Sequence, residues 1–335
     1  MVCNANFTAR SLLPLAVGPA ISASLGRRAS GFTLSSSKEF PVIIARLIAD
    51  PETLGDNLAL AMEMIEARGW EVAGAGMLEF CSDVLELEVL EGDPRGIREV
   101  LDQCFPDSDL LLSAGLIEVP NLFVSDMDST MIGQECIDEL ADFAGLKDRI
   151  AAITERAMQG ELDFESALRE RVGLLKDLPE AAIRQCLDER IQPMPGARTL
   201  VSTLKSRGCH TVLVTGGFHS FADPVAELLG FDRVVGNRLG LHEGALTGGL
   251  VGGIVDSSVK QRVLVEEAAS IGEGALSLAT GDGANDIPMI EAATYGIAYR
   301  AKPKARAAAD GWIDRGDLTA ILSLLGIRRE DWVFD

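Results

Sequence analysis

The chain is short of the residues that usually announce a metal or redox centre by their spacing. Its three histidines, His210, His219 and His242, lie too far apart to suggest a zinc site. Its six cysteines, Cys3, Cys81, Cys104, Cys136, Cys186 and Cys209, form no CxxC pair. They read as free thiols of a reducing compartment, and a cytoplasmic location is expected. No apolar run reaches transmembrane length. Neither a GxxxxGK[ST] phosphate loop nor a GxGxxG fingerprint occurs, and no repeat period is evident. Positive charge is scarce as well: 30 Lys and Arg face 51 Asp and Glu, a formal net charge of -21. Such a surface repels nucleic acid and anionic membranes, so neither is expected as a partner. A pocket for an anionic substrate would need local positive charge or a metal.

Acidic residues are themselves absent through Ser37, where Arg10, Arg27 and Arg28 stand among serines and alanines. Residues 1–37 read as a disordered extension, a mistaken early start or a transit segment. Residues 38–117 then order as strand, helix, strand, strand, helix and strand, a small α/β sandwich without a compact catalytic constellation. Its expected role is support, dimerisation or binding of a small ligand.

What is present begins with short apolar strands that end in polar tips. "LFVSD", "TVLVTGG" and "ALSLATGDG" share this form, with helical stretches between them. Apolar strand, polar tip and helix are the grammar of a doubly wound, Rossmann-like parallel sheet, which places its ligand at the carboxyl ends of the strands. The tips "DMDST", "TGG" and "GDGAND" are therefore expected to converge. A helical excursion over about 135–190 is too long for a simple crossover and reads as a cap over that face.

Asp126 and Asp128 follow the first tip. One ionised carboxylate can attack phosphorus while the second moves the proton of a leaving alkoxide. Taken alone, the pair fits an Asx turn at a strand exit equally well. "GDGAND" shifts the balance, because Asp282 tips a second strand of the same sheet, Asp286 follows four residues on at the start of a helix, and oxygen ligands of this kind suit Mg²⁺. Thr215 and Gly216 offer a hydroxyl and a backbone N–H for phosphate oxygens, and Lys260 offers a neutralising cation.

These motifs resemble those of the haloacid dehalogenase superfamily. DxDx[ST] stands as Asp126-Met127-Asp128-Ser129-Thr130, the second motif as "VTGG" with Thr215 at the hydroxyl position, the third as Lys260, and the acidic motif as "GDGAND". The cap segments "GQECIDELADFAG" and "ITERAMQGELDFESALRERVGLLKDLP" resemble the phosphoserine phosphatase branch. The resemblance implies a haloacid dehalogenase core over 118–325, a cap inserted at about 135–190 and a tail at 326–335. It implies Mg²⁺-dependent hydrolysis of O-phospho-L-serine through an aspartyl-phosphate, the last step of serine biosynthesis. Asp126 would be the nucleophile and Asp128 the proton donor. Asp126, the Asp128 backbone carbonyl and Asp282 would hold the metal, with Asn285 and Asp286 in support. Glu135 would read the substrate ammonium and Arg171 its carboxylate. Met158 and Phe164 would line the lid, and Thr215, Gly216 and Lys260 would hold phosphate. The small domain at 38–117 resembles the ACT-like regulatory domains of some members, through which a homodimer could form. Phosphothreonine or phosphohomoserine would preserve most of this recognition. A retired core serving as an amino-acid sensor is the reading from another class.

Overall fold

The computed structural model describes residues 42–158 and 161–334, with the side chain of Met158 excepted. The extension at 1–37 and the lid role expected of Met158 fall outside the described residues. The amino-terminal part runs β1 (Ile43–Ile48), α1 (Leu54–Ala67), β2 (Glu71–Leu78), β3 (Cys81–Leu90), α2 (Pro94–Cys104) and β4 (Asp109–Ala114). Then come β5 (Leu122–Ser125) and four helices, α3 (Cys136–Phe143), α4 (Lys147–Met158), α5 (Phe164–Leu174) and α6 (Glu180–Arg190). The chain returns through α7 (Ala197–Ser206), β6 (His210–Phe218), α8 (His219–Leu229), β7 (Arg233–His242) and β8 (Ala245–Val251). It ends with α9 (Ser257–Ile271), β9 (Ser277–Gly281), α10 (Ile287–Ala292), β10 (Tyr295–Tyr299), α11 (Pro303–Ala308), β11 (Gly311–Ile313) and α12 (Ala320–Leu324).

The middle strands are buried on both faces, which is why they read as continuous apolar runs. Along β5, Leu122 and Val124 pack with Val263, Leu264 and Met289 on one side. Phe123, between them, points to the other side among Leu213, Leu278 and Tyr295. This alternation is the two-residue period of a strand, here with helices over both faces. β5 pairs in parallel with β6 and β9, so its carboxyl end lies between theirs.

The eleven strands of the described residues form one sheet, in the order β2-β3-β1-β4-β11-β10-β9-β5-β6-β7-β8. The boundary read near residue 118 therefore marks no break in the sheet. β4 pairs antiparallel with β11, joining the amino-terminal layer to the parallel core. Side chains reinforce the seam: Arg46 of β1 pairs with Glu86 at 2.7 Å and donates to the Leu324 carbonyl at 3.0 Å. Hydrophobic periodicity finds strands but carries no sign of which edge accepts which, and for that reason the join was invisible in sequence.

Two features go beyond the sequence reading. The β7–β8 hairpin at the far edge was unassigned, although Glu243 and Gly244 form its two-residue turn, both with positive φ. That is the type I′ geometry of tight hairpins, and a Glu-Gly pair signals it less strongly than Asn-Gly would. β6 also does not stop at Val214. It continues to Phe218 with a shift in register, so the Thr215-Gly216-Gly217 segment is an irregular part of the strand and not a tip beyond it.

The four-helix excursion is closed at its base by a bridge between Ile132 and Pro193. It is also tied to the β7–β8 hairpin: Asp177 N–H donates to Leu246 O at 2.8 Å and Leu246 N–H to Leu178 O at 2.9 Å. No helix among the described residues is long and apolar enough to cross a membrane.

Candidate active site

Strand β5 delivers Asp126 to the carboxyl edge of the sheet, where its N–H donates to the Thr280 carbonyl of β9 at 3.0 Å. A cavity of about 260 Å³ opens there. It is lined from the core by Asp126, Asp128, Thr215, Gly216, Asp282 and Asn285, and from the cap by Glu135, Phe164 and Arg171. The tips of β5 and β9, the irregular end of β6 and the cap thus meet in one cleft.

Lys260 is the buried centre of the charge pattern. Asp256 caps α9 by accepting from Val259 N–H at 3.0 Å, and Lys260 follows in the first turn with its side chain turned inward. Its ammonium lies 2.6 Å from Asp126 and 2.7 Å from Asp286. Burial alone would pull the lysine down, but the two carboxylates more than offset it and hold the ammonium charged, with its pKa raised. Burial, then the neighbouring Asp286, push the Asp126 carboxyl well above the usual carboxylate range, and Lys260 offsets only part of that.

One ligand-capable oxygen from each of Asp126, Asp282 and Asp286 lies within 4.8 Å of the others. Three carboxylates around one buried ammonium leave two negative charges, which suits a divalent cation that takes oxygen ligands. Asp286 thus belongs to the acidic cluster as well as to Lys260. It reaches both because its second oxygen accepts from Gly283 N–H at 3.0 Å, closing the loop back on itself. That loop needs glycine: a Cβ at Gly281 would lie 2.4 Å from the Asp286 carboxyl carbon.

Asp128 sits in different surroundings. Its Oδ1 accepts from the Cys136 N–H at 3.0 Å, at the start of cap helix α3, and its Oδ2 from the Thr215 hydroxyl at 3.5 Å. No ion pair neutralises it among the described residues, and burial raises its carboxyl. Burial pushes both carboxyls up, and the two aspartates differ in contact: only Asp126 touches the Lys260 ammonium, which favours its charged form.

On the cap side, the Ser129 hydroxyl donates to Glu135 at 3.0 Å. Burial, and then the charge on Asp128, push Glu135 up to about 7. Arg171 is half-buried and its Nε finds no hydrogen-bond partner among the described residues. Phe164 is exposed at the start of α5, close to Gly216.

Sequence reasoning passed over several neighbours. Gly217 is one: a Cβ there would stand 2.9 Å from Asp128 Oδ2 and 3.0 Å from Thr215 Oγ1. Lys302 is another, lining the cleft with its ammonium 3.3 Å from Asp282. It follows β10, so the polar-tip rule applied to "YGIAYRAK" would have found it. Asn237 carried no signal, yet its amide donates to the Gly216 carbonyl at 2.8 Å and accepts from Val255 N–H at 2.9 Å. Ile137, Leu168 and Phe218 complete the wall. None of the histidines lines the cleft; His219 pairs with Asp223 at 2.7 Å.

Known proteins resemble this chain in sequence and fold. Residues 123–291 match the model of the haloacid dehalogenase-like hydrolases. A phosphoserine phosphatase of Archaeoglobus fulgidus is 44% identical over 210 residues, 62% of this chain and 61% of that protein, so the match leaves over a third of that relative uncovered. One from Streptococcus thermophilus is 45% identical over 209 residues, 62% of this chain and 97% of its own length. The unliganded crystal structure of a probable phosphoserine phosphatase from Vibrio cholerae aligns with TM-score 0.65 and 31% identity, covering 90% of this chain and 91% of that one. With the acid-tipped strands, the buried lysine and the cap joined in one cleft, the chain belongs to the haloacid dehalogenase-like hydrolases.

Proposed function

We propose that the protein hydrolyses O-phospho-L-serine to L-serine and phosphate. The observation that carries this reading is the pairing across the cleft: Glu135 and Arg171 on the cap face Asp126 and Asp128 on the core. An ammonium suits Glu135, a carboxylate suits the planar fork of Arg171 with its unpartnered Nε, and a phosphate suits the core. The substrate named for the relatives has these three groups in one small molecule.

The core residues divide the chemistry. Asp126 attacks phosphorus and forms an acyl-phosphate as the ester P–O bond breaks. Asp128, protonated at the outset, gives its proton to the departing serine oxygen. The Asp128 carboxylate then takes a proton from water as that water attacks phosphorus. The bond to Asp126 breaks, phosphate leaves and Asp128 is protonated again. Lys260, 2.6 Å away, stabilises the Asp126 carboxylate before it attacks and again as hydrolysis releases it. Thr215 and Gly216 bind phosphate oxygens, and Phe164 closes the cap side. Asp126, Asp282 and the Asp128 backbone carbonyl would hold Mg²⁺, with Asn285 and Asp286 in support; when bound it supplies positive charge against the attacking carboxylate and the phosphoryl group. The amino-terminal layer, 38–117, would serve as an ACT-like regulatory and dimerising unit. Structural similarity to the Vibrio protein over 90% of the chain supports treating it as part of the same architecture.

A substrate panel with magnesium tests the assignment. Phosphoserine should exceed phosphoethanolamine, which lacks the carboxylate, and 3-phosphoglycerate, which lacks the ammonium. Equal turnover of all three would remove the roles given to Glu135 and Arg171.

A further inference from the structure

Lys302 joins two parts of the molecule that the reaction does not obviously connect. It lies just past β10, as the N-cap residue of α11. Its N–H donates to the Asp282 carbonyl at 2.9 Å, and its ammonium reaches the Asp282 carboxylate at 3.3 Å. Four carboxylates line the cleft, from Asp126, Asp128, Glu135 and Asp282, against two cations, Arg171 and Lys302. Arg171, on the cap, is half-buried, whereas the Lys302 side chain is 70% exposed. A dianion approaching a protein of net charge -21 meets this ammonium at the mouth, on a flexible stem that can exchange one anionic partner for another.

One turn along α11, Arg306 N–H donates to the Lys302 carbonyl at 3.0 Å. The Arg306 guanidinium forks onto Asp102 of α2 with two bonds of 2.8 Å, and also reaches Asp314 at 2.7 Å. It lies 4.0 Å over the ring of Trp312, which is fully buried. Arg98, also on α2, donates to the Arg306 carbonyl. The short helix is thus held at one end by the acidic cluster and at the other by the amino-terminal layer. A bidentate fork fixes direction as well as distance.

We infer that Lys302 is the entrance cation that draws a dianionic phosphate ester into the cleft, and that the Arg306–Asp102 fork sets its position, so the amino-terminal layer tunes substrate capture. This rests on the phosphatase reading above.

The test compares full-length wild type with Lys302→Gln, Lys302→Arg, Asp102→Asn and the Lys302→Gln/Asp102→Asn double variant, with magnesium, across a potassium chloride series. Lys302→Gln should lower kcat/KM for phosphoserine about tenfold, mostly through KM, and flatten its dependence on salt. Lys302→Arg should restore most of both. Asp102→Asn should give a smaller rise in KM that disappears in the Lys302→Gln background, because the two act as one unit. If Asp102→Asn fails to fold, Arg306→Lys takes its place, keeping the charge and losing the fork. An unchanged salt dependence in Lys302→Gln overturns the entrance role, and multiplying losses in the double variant overturn the link to Asp102. Should wild type leave phosphoserine intact, the phosphatase reading fails by itself. Calorimetric binding of inorganic phosphate to wild type and Lys302→Gln then decides the role of the cation: weaker binding in the variant supports it, and equal binding overturns it.

Discussion

Lys260 Nζ lies 2.6 Å from Asp126 Oδ1, and both side chains are almost wholly withdrawn from solvent. The pair is also short of charge balance, because Asp286 shares the same ammonium. Removing the cation should therefore be worse than removing either acid. Lys260→Met leaves two buried carboxylates facing one another and should cost about 3–5 kcal/mol of stability as well as turnover. Asp126→Asn leaves the Lys260–Asp286 pair in place and should lose turnover with a much smaller loss of stability. Denaturant melts of the two variants check the ranking.

The division of labour between the two aspartates has a kinetic signature. Asp126→Asn should show no labelled phosphoenzyme after an acid quench. Asp128→Asn should still transfer phosphate from p-nitrophenyl phosphate, whose phenolate leaves without help, and then stall for want of a base. The expected trace is a burst of about one nitrophenolate per enzyme, followed by slow turnover. A linear trace at the wild-type rate would remove Asp128 from both steps.

Gly217 has no room for a side chain beside Asp128, with a Cβ placed 2.9 Å from Oδ2 and 3.0 Å from Thr215 Oγ1. Gly217→Ala must shift one of these groups. Displacing a catalytic group by about 1 Å can cost about a hundredfold in rate, and kcat should fall by that order. The melting temperature should change little, because the strand keeps its pairing. Steady-state kinetics beside a thermal melt separates the two effects.

Glu135 is pushed up to about 7, chiefly by burial. A carboxyl must be ionised to hold an ammonium, so KM for phosphoserine should rise as pH falls below about 7. The loss should continue until the group is fully protonated. Burial of that charge also costs stability above the unfolded value of 4.5, because the folded state prefers the protonated form. Glu135→Gln should remove the step in KM. A phosphate ester without an ammonium should show no such step from this group, and a matched pH series with both substrates measures the difference.

How far the cleft was legible depended on whether residues were tied to a strand. Asp126 and Asp282 sit just past the carboxyl ends of β5 and β9, Thr215 lies in the irregular last part of β6, and the apolar runs before them made those positions visible. The helical cap was legible as a whole, and its first three helices within it, whereas α6 carried no separate signal. Asn237 was not, because it acts from within β7 by holding the backbone of another strand. Ser129 stands in the DxDx[ST] motif, but its bond to Glu135 depends on a turn with positive φ that spacing does not reveal.

Local chemistry along the chain was enough to determine the acid-tipped strands, their order and the helical excursion above them. These follow from hydrophobic period and from the few residue types that can do phosphoryl chemistry. Tertiary structure alone decided that Lys260 would bridge two acids, that β4 would join β11, and that α11 would tie Asp282 to Asp102. Each of these depends on segments far apart in sequence meeting at one geometry, and a side chain's partner across such a distance is set by packing, not by its neighbours along the chain.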